Sequence, residues 1–290
     1  MDKFLFIINP VAGSGRARAT EAVIREVMEE NKLDYEIIFT SREKEAIELA
    51  AKKDYDIIIA VGGDGTINEV ASGLLKRGQG SLGIIPAGTG NDLSRSLNIP
   101  QDPRLALDLI LKKRVKEVAI GQSNLYPFLN IASIGFDVEV LTNIHIFRKR
   151  VKGSFSYVLA LIYTLLKYRK KEIGLEIDGK KIKRNLLLLA IGNGKYYGGG
   201  MKVIPHADFF DDYLHICLVK DVSNLRVLFL FPLIFRGSHT KLKKYVESYK
   251  AREIRVTSDS NLLLNVDGEV YEVGKEVLFS LSKRKIGIIF

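Results

Sequence analysis

Asp56-Ile57-Ile58-Ile59-Ala60-Val61-Gly62-Gly63-Asp64-Gly65-Thr66-Ile67-Asn68-Glu69-Val70-Ala71-Ser72-Gly73 opens as a short, β-branched apolar run and closes with helical spacing. The run 57–61 reads as a buried strand. Ile67, Val70, Ala71 and Leu74 recur at the period of a helix, with Thr66 placed to cap it. Between the two lie Gly62, Gly63, Asp64 and Gly65. A strand, a glycine turn and a helix start together make a phosphate site, because unpaired N–H groups at a helix start attract anions and glycine lets the main chain come close. Asp64 would repel a bare phosphate. Its presence suits a Mg²⁺-bridged nucleotide, or a hydroxyl held near one. An ordinary tight turn is the plain alternative, and the glycine loop alone does not choose between them.

Working outward, the same rhythm repeats. A strand at 3–9 runs into Asn9-Pro10-Val11-Ala12-Gly13-Ser14-Gly15, with a helix expected over 17–30. A strand at 35–39 ends in Thr40-Ser41, and a helix at 43–53 leads back to the central strand. Beyond it, a strand at 82–85 opens into Pro86-Ala87-Gly88-Thr89-Gly90-Asn91-Asp92, and a helix follows at 104–111. Strands alternating with helices imply a doubly wound parallel sheet whose loops converge on one carboxyl edge.

After about residue 117 the pattern changes to short β-like runs at 117–120, 128–132, 173–177, 186–191, 214–218, 253–257, 262–266 and 277–279. Turn signals such as Asp178-Gly179 and Asp267-Gly268 separate them, which points to an antiparallel sandwich or barrel. Apolar segments at 155–166 and 225–235, the second broken by Pro232, read as helices among these strands. The expected organisation is an N-terminal α/β nucleotide-binding domain, 1–117 plus 280–290, and a C-terminal β-sandwich domain, 118–279.

Composition narrows the classes. The chain has 290 residues, enough for one large or two ordinary domains, and carries a net charge of +10. One cysteine, Cys217, excludes an internal disulfide framework and suits a reducing cytosol. The start lacks the pattern of a signal peptide, and the best apolar runs are about half the length of a membrane span. Basic clusters at Arg148, Lys149, Arg150 and Lys152, at Lys167, Arg169, Lys170 and Lys171, at Lys180, Lys181, Lys183 and Arg184, and at Lys241, Lys243 and Lys244 suit an anionic lipid surface or nucleic acid. No stacking aromatics are interleaved with them in a nucleic-acid motif. The expected location is cytoplasmic, peripheral on the inner face of a membrane. The four histidines have no paired metal spacing.

At this point a resemblance becomes specific. Gly62-Gly63-Asp64-Gly65-Thr66 with Asn68-Glu69 is similar to the signature of diacylglycerol kinase catalytic domains, sphingosine kinases and, more distantly, NAD kinases. Asn9-Pro10 with Gly13 and Gly15, and the stretch Pro86 to Asp92, narrow it to the lipid-kinase branch. The likeness continues through Asn130-Ile131-Ala132-Ser133-Ile134-Gly135-Phe136-Asp137, Pro205-His206-Ala207 with Asp211, and Val266-Asp267-Gly268-Glu269. The chain therefore resembles a bacterial diacylglycerol kinase along essentially its whole length.

The resemblance implies transfer of the γ-phosphate of ATP to a lipid hydroxyl, most simply diacylglycerol giving phosphatidic acid. Asn9, Thr40, Gly62, Gly63, Asp64, Gly65, Thr66, Ile67, Asn68 and Thr89 would form the ATP site, with Asp64 near the γ-phosphate and Mg²⁺. Asp267 and Glu269 resemble the catalytic acids, and proton acceptance falls to that pair. Alternation along a strand would put both on one face around Gly268; a plain Asp-Gly hairpin turn is the alternative. The 208–213 loop resembles a structural Mg²⁺ site, with Asp208, Asp211 and Tyr213 as its ligands, although Asp212 stands where the family has glycine. The basic clusters flanking the 155–166 helix would meet an anionic membrane. Homodimers occur in the family, but no stretch here marks an interface. The alternatives are a homologue that binds lipid and nucleotide without turnover, and an NAD kinase-like enzyme.

Overall fold

A computed structural model describes residues 3–124, 126–148, 154–168 and 171–290, with backbone alone at 148 and 154–158. The first basic cluster (Arg148, Lys149, Arg150, Lys152) and Arg169 and Lys170 of the second fall outside the described residues or side chains.

The chain begins β1 (Phe4–Ile8), a 3-10 turn (Ala12–Gly15), α1 (Arg16–Ala19), α2 (Glu21–Glu30), β2 (Tyr35–Phe39), α3 (Glu45–Lys52), β3 (Ile57–Gly62), α4 (Asp64–Arg77), β4 (Ser81–Pro86), α5 (Asp92–Ser96) and α6 (Pro103–Leu111). Strands β2, β1, β3 and β4 lie parallel in that order. Every residue of β1 and β3 is buried, as a parallel strand with both faces covered requires. Helix α3 packs on α4, and α2 packs on α6. Asp102 caps α6, its side chain accepting from Leu105 N ahead of Pro103 at the first helical position.

The second half runs β5 (Val115–Ser123), β6 (Pro127–Phe128), β7 (Ile131–Gly135), α7 (Phe136–Arg148), α8 (Ser154–Lys167), β8 (Lys171–Ile177), β9 (Lys180–Gly192), β10 (Leu214–Lys220), α9 (Asn224–Leu230), a 3-10 turn (Phe231–Ile234), β11 (Val246–Ala251), β12 (Glu253–Thr257), β13 (Leu262–Val266), β14 (Glu269–Val273) and β15 (Glu276–Ile289). All pairings among β7 to β13 are antiparallel. The result is an α/β domain followed by a β sandwich, the class expected. Strand β9 pairs β8, β7 and β10, so it lies at the centre of the sandwich. Its first half is largely polar and its second half, from Leu186, wholly buried.

Several sequence expectations need correcting. The helix behind Gly15 is broken at Thr20 into α1 and α2. Thr66 does not cap α4: Gly63 holds the cap position and Thr66 lies buried in the first turn, where Asn9 Nδ2 donates to its hydroxyl. The run expected as one strand at 128–132 is split into β6 and β7. The cause is local, for the amides of Leu129, Asn130 and Ile131 are all given to the Asp267 carboxylate instead of a neighbouring strand. The strand expected at 277–279 continues to Ile289. It begins antiparallel to β12 in the sandwich and ends parallel to β4, Ile288 opposite Leu82.

Candidate active site

The carboxyl ends of β1, β2, β3 and β4 bring Asn9, Thr40, Gly63 and Ala87 to one edge. The glycine loops that follow β1, β3 and β4 touch there. A Cβ at Gly13, whose φ is +57°, would stand 2.0 Å from the Ala87 carbonyl oxygen, and one at Gly88 would stand 2.3 Å from Gly63 Cα. Arg16 secures two of the loops, donating from Nε to Gly13 O and from Nη2 to Gly88 O at 2.5 Å. Asn91 Oδ1 accepts from Gly88 N, holding the third loop closed. Thr89 is exposed beside this junction, Gly65 is exposed at the first turn of α4, and Ile67 turns into the core.

Asp64 Oδ1 accepts from Leu93 N, so the first residue of α4 also ties down the start of α5. Asp92 Oδ2 accepts from Gly199 N at 2.7 Å, while among the described residues Asp92 Oδ1 is buried with no hydrogen-bond partner. Burial, and then the neighbouring Asp64 charge, pushes the Asp92 carboxyl up from its ordinary value.

Asp267 comes from the other domain and is held from several sides. Its carboxylate accepts from the backbone N–H groups of Leu129, Asn130 and Ile131, and from Asn68 Nδ2 at 2.7 Å across the domain boundary. Enclosure of the carboxylate outweighs these donors, and its pKa rises to about 6 with Asp64 adding to the push. The strand geometry expected around Gly268 does not form. Val266 pairs with Glu269, and Asp267 and Gly268, with φ of +48° and +100°, make a two-residue hairpin turn between β13 and β14. Glu269 is therefore exposed on a different side, accepting from the Tyr271 hydroxyl.

Three spaces meet here. A cavity of about 240 Å³ is lined by Asp64, Asn68, Asp92, Asn130, Asp137, Tyr197 and Asp267, with Leu93, Leu129, Ile131 and Leu141 between them. An apolar cavity of about 100 Å³ lies between α7, α8, α9 and β9, lined by Phe136, Val140, Leu161, Leu187, Val227, Leu230 and Phe231. Asp137 and Tyr197 line both. On the far side of the Asn68–Asp267 hydrogen bond runs a groove bordered by Gly65, Glu69, Tyr126, Glu269 and Tyr271. The Tyr126 and Tyr271 rings stack there at 3.8 Å. Sequence reasoning missed Asp137 and Asp92 as site residues, although both stand in stretches that carry the family likeness. Burial raises the Asp137 pKa to about 6, with Ser133 and Tyr197 hydrogen bonds opposing it.

The 208–213 loop is not part of these cavities. Asp211 Oδ1 meets Tyr213 N and His215 Nε2, and Asp211 Oδ2 accepts from Lys250 Nζ at 2.7 Å. Asp208 Oδ1 is taken by Phe210 N, and Asp212 pairs with Lys285. With both Asp211 oxygens engaged, one of them by an ammonium, the Asp208, Asp211 and Tyr213 set as it stands does not fit a divalent cation. Among the described residues no cluster of three or more His, Cys, Asp or Glu side chains is placed to hold a metal ion; the carboxylates beside the start of α4 that face the 240 Å³ cavity are those of Asp64 and Asp92, the latter with one oxygen unpartnered.

The fold and these cavities define a lipid kinase: a glycine-loop phosphate site on an α/β sheet, facing carboxylates and an apolar space in a β sandwich. Residues 3–123 match the diacylglycerol kinase catalytic domain, and residues 130–277 match the YegS C-terminal NAD kinase beta sandwich-like domain. The chain belongs to the diacylglycerol kinase family. It is 32% identical to a diacylglycerol kinase of Staphylococcus saprophyticus over 91% of this chain and 87% of that one. With a diacylglycerol kinase of Staphylococcus aureus strain JH9 it shares 34% identity over 77% of this chain and 70% of the other. A crystal structure of a diacylglycerol kinase from Bacillus anthracis superposes with a TM-score of 0.76 at 26% identity, covering 100% of this chain and 97% of that one. An NAD kinase from Archaeoglobus fulgidus, in complex with ATP, shares the fold alone, with a TM-score of 0.55 at 16% identity over 99% of this chain and 93% of that one.

Proposed function

We propose that this lipid kinase phosphorylates diacylglycerol from ATP, giving phosphatidic acid. The observation that carries the reading is a pair of neighbouring cavities with Asp137 and Tyr197 in the walls of both. One presents carboxylates beside the start of α4, and the other is apolar. A glycerol headgroup with one free hydroxyl fits the first, and the root of an acyl chain fits the second. The triphosphate belongs on the loops after β1, β3 and β4, where Asn9, Thr40, Gly62, Gly63, Gly65, Thr66, Asn68 and Thr89 cluster. The groove with the stacked tyrosines then takes the rest of the nucleotide.

Mg²⁺, when bound, would neutralise charge on the transferring phosphoryl group, held by Asp64 with Asp92. The hydroxyl oxygen bonds to the γ-phosphorus as the bond to the β-phosphate oxygen breaks, and ADP leaves. The hydroxyl proton must pass to a carboxylate. Asp267 lines the cavity that the alcohol enters, and its raised pKa of about 6 suits it to accept the proton, while its hydrogen bond with Asn68 joins the two domains. Glu269 lies on the groove side, so the proton passes to Asp267, and Asp64 is kept for the metal. Domain limits of 1–117 plus 280–290 and 118–279 fit this division of labour, with the nucleotide on the first and the lipid on the second. The enzyme would work on the face of a bilayer, from which its substrate has to be drawn.

The test is transfer of label from ATP to dioctanoylglycerol in mixed micelles. Asp64→Asn is expected to lower kcat by about 10²- to 10⁴-fold, with the melting temperature kept. Glu269→Gln is expected to act mainly on KM for ATP. No labelled lipid from the wild-type protein, or an Asp64→Asn enzyme as fast as wild type, would reject the reading.

A further inference from the structure

Among the described residues, the most exposed large apolar side chains of the second domain are gathered on one part of its surface. Leu166 on α8 is 78% exposed, and Leu225 and Phe229 on α9 are 67% and 75% exposed. Leu225 and Phe229 are four residues apart on one face of α9, whereas Val227 between them points inward and is buried. The two helices are joined where these stripes meet, Asn224 Nδ2 donating to Leu165 O at 2.6 Å. After α9 the turn Phe231–Ile234 carries the apolar surface on to Phe235, which is 49% exposed. A contiguous exposed apolar patch of this kind marks an interaction face.

Charge says what it docks on. From Val222 through Val246 the chain has no aspartate or glutamate, yet it carries Arg226, Arg236, Lys241, Lys243 and Lys244. An apolar stripe with a basic, acid-free border matches the interface of an anionic bilayer: acyl chains beneath, negative headgroups above. The inward faces of the same helices, through Leu161, Val227 and Leu230, wall the apolar cavity. The outer and inner faces of one layer of helix thus meet membrane and lipid site respectively.

We propose that α9 and the following turn, with the end of α8, form a wedge that inserts into the anionic leaflet and opens the apolar cavity towards it. This rests on the lipid-kinase reading, and it adds where the enzyme sits and by which residues. The experiment is co-sedimentation with vesicles of phosphatidylcholine containing about 30% phosphatidylglycerol, beside pure phosphatidylcholine vesicles. Neither Leu225 nor Phe229 lines the cavity, so the double variant Leu225→Glu/Phe229→Glu is expected to keep its turnover of micellar dioctanoylglycerol. Its binding to anionic vesicles should fall about tenfold or more. A second variant, Arg236→Gln/Lys241→Gln, should bind more weakly with a shallower dependence on salt. Vesicle binding unchanged in the double variant would overturn the proposal, as would a wild-type protein that ignores anionic vesicles. So would a dimer that the glutamates dissociate while vesicle binding persists, since the patch would then face a second copy. The micelle assay reports separately on the kinase reading, so the two can fail independently.

Discussion

Asp137 and Asp267 are carboxyls that the fold holds near pKa 6, in each case chiefly because burial penalises the charge. A pKa raised in the folded state favours folding at low pH, where the group is protonated in both states without penalty. That contribution is lost as the pH climbs from the unfolded value near 3.8 through 6. For Asp137, buried at 6% exposure, the shift corresponds to about 3 kcal/mol at most. Urea unfolding of Asp137→Asn and wild type at pH 5 and pH 8 checks this. The variant's stability relative to wild type should be greater at pH 8, and an equal difference at both pH values would contradict the sign. Asp267 was legible as a residue of consequence from its motif, but not its posture. An Asp-Gly pair between apolar runs reads equally as strand or hairpin, and only the pairing of Val266 with Glu269 chooses the turn. Asp92 and Asp137 stand within recognisable motifs, but those motifs do not mark them as site residues. Nothing in a linear sequence says that Asp92, six residues after the end of β4, or Asp137, in the first turn of α7, will line a common cavity.

Among elements, the three glycine loops were readable because strand, small residues and helix recur with little tertiary ambiguity. What the sequence could not convey is that they touch. Gly88→Ala sets a methyl carbon against Gly63 Cα, backbone against backbone with no side chain to yield. It should destabilise by about 1 to 3 kcal/mol and weaken nucleotide binding, measured by thermal melting and by titration with a fluorescent ATP analogue; native affinity would mean the loops can separate. The 208–213 loop is the opposite case, where likeness suggested a metal and the folded partners supply an ammonium. Lys250 comes from β11, a strand not anticipated from sequence because Val246–Ala251 has charged and polar residues at most positions. If Lys250 does the cation's work, EDTA without nucleotide leaves the melting temperature of wild type unchanged. Lys250→Ala should melt lower and regain part of the loss in Mg²⁺. A wild-type melting point that falls in EDTA would put the metal back. Helix α7 was missed for a related reason: it follows Gly135, at φ +124°, directly from β7 with no capping signal to announce it.

On the scale of the whole molecule, the order of domains along the chain does not match the way they are built. Residues 3–123 correspond to a family domain, but the sheet they contain is completed by the end of the chain. Gly287 and Ile288 pair with Ser81 and Leu82 on the outer side of β4, and β15 pairs with β5 along most of the latter's length. Ile286, Ile288 and Ile289 are buried in the same hydrophobic cluster as Phe4, Ile59 and Leu82. Phe209, from the sandwich, enters that cluster as well. A fragment of residues 1–123 would therefore expose an open strand edge and an unfilled core, two features that lead to aggregation. Each lost isoleucine also removes about 1.5 to 3 kcal/mol of burial from a net stability of only about 5 to 15 kcal/mol. Expressed alone, the fragment is expected to be insoluble or to lack a cooperative melt by circular dichroism. A synthetic peptide of residues 276–290 supplied in excess should restore the transition. If the fragment alone melts cooperatively and binds ATP, the last strand is an accessory and the two domains are separable. If it needs the peptide, β15 is the member through which nucleotide and lipid halves are held at a fixed distance, with Asn68 and Asp267 joined across the gap it maintains.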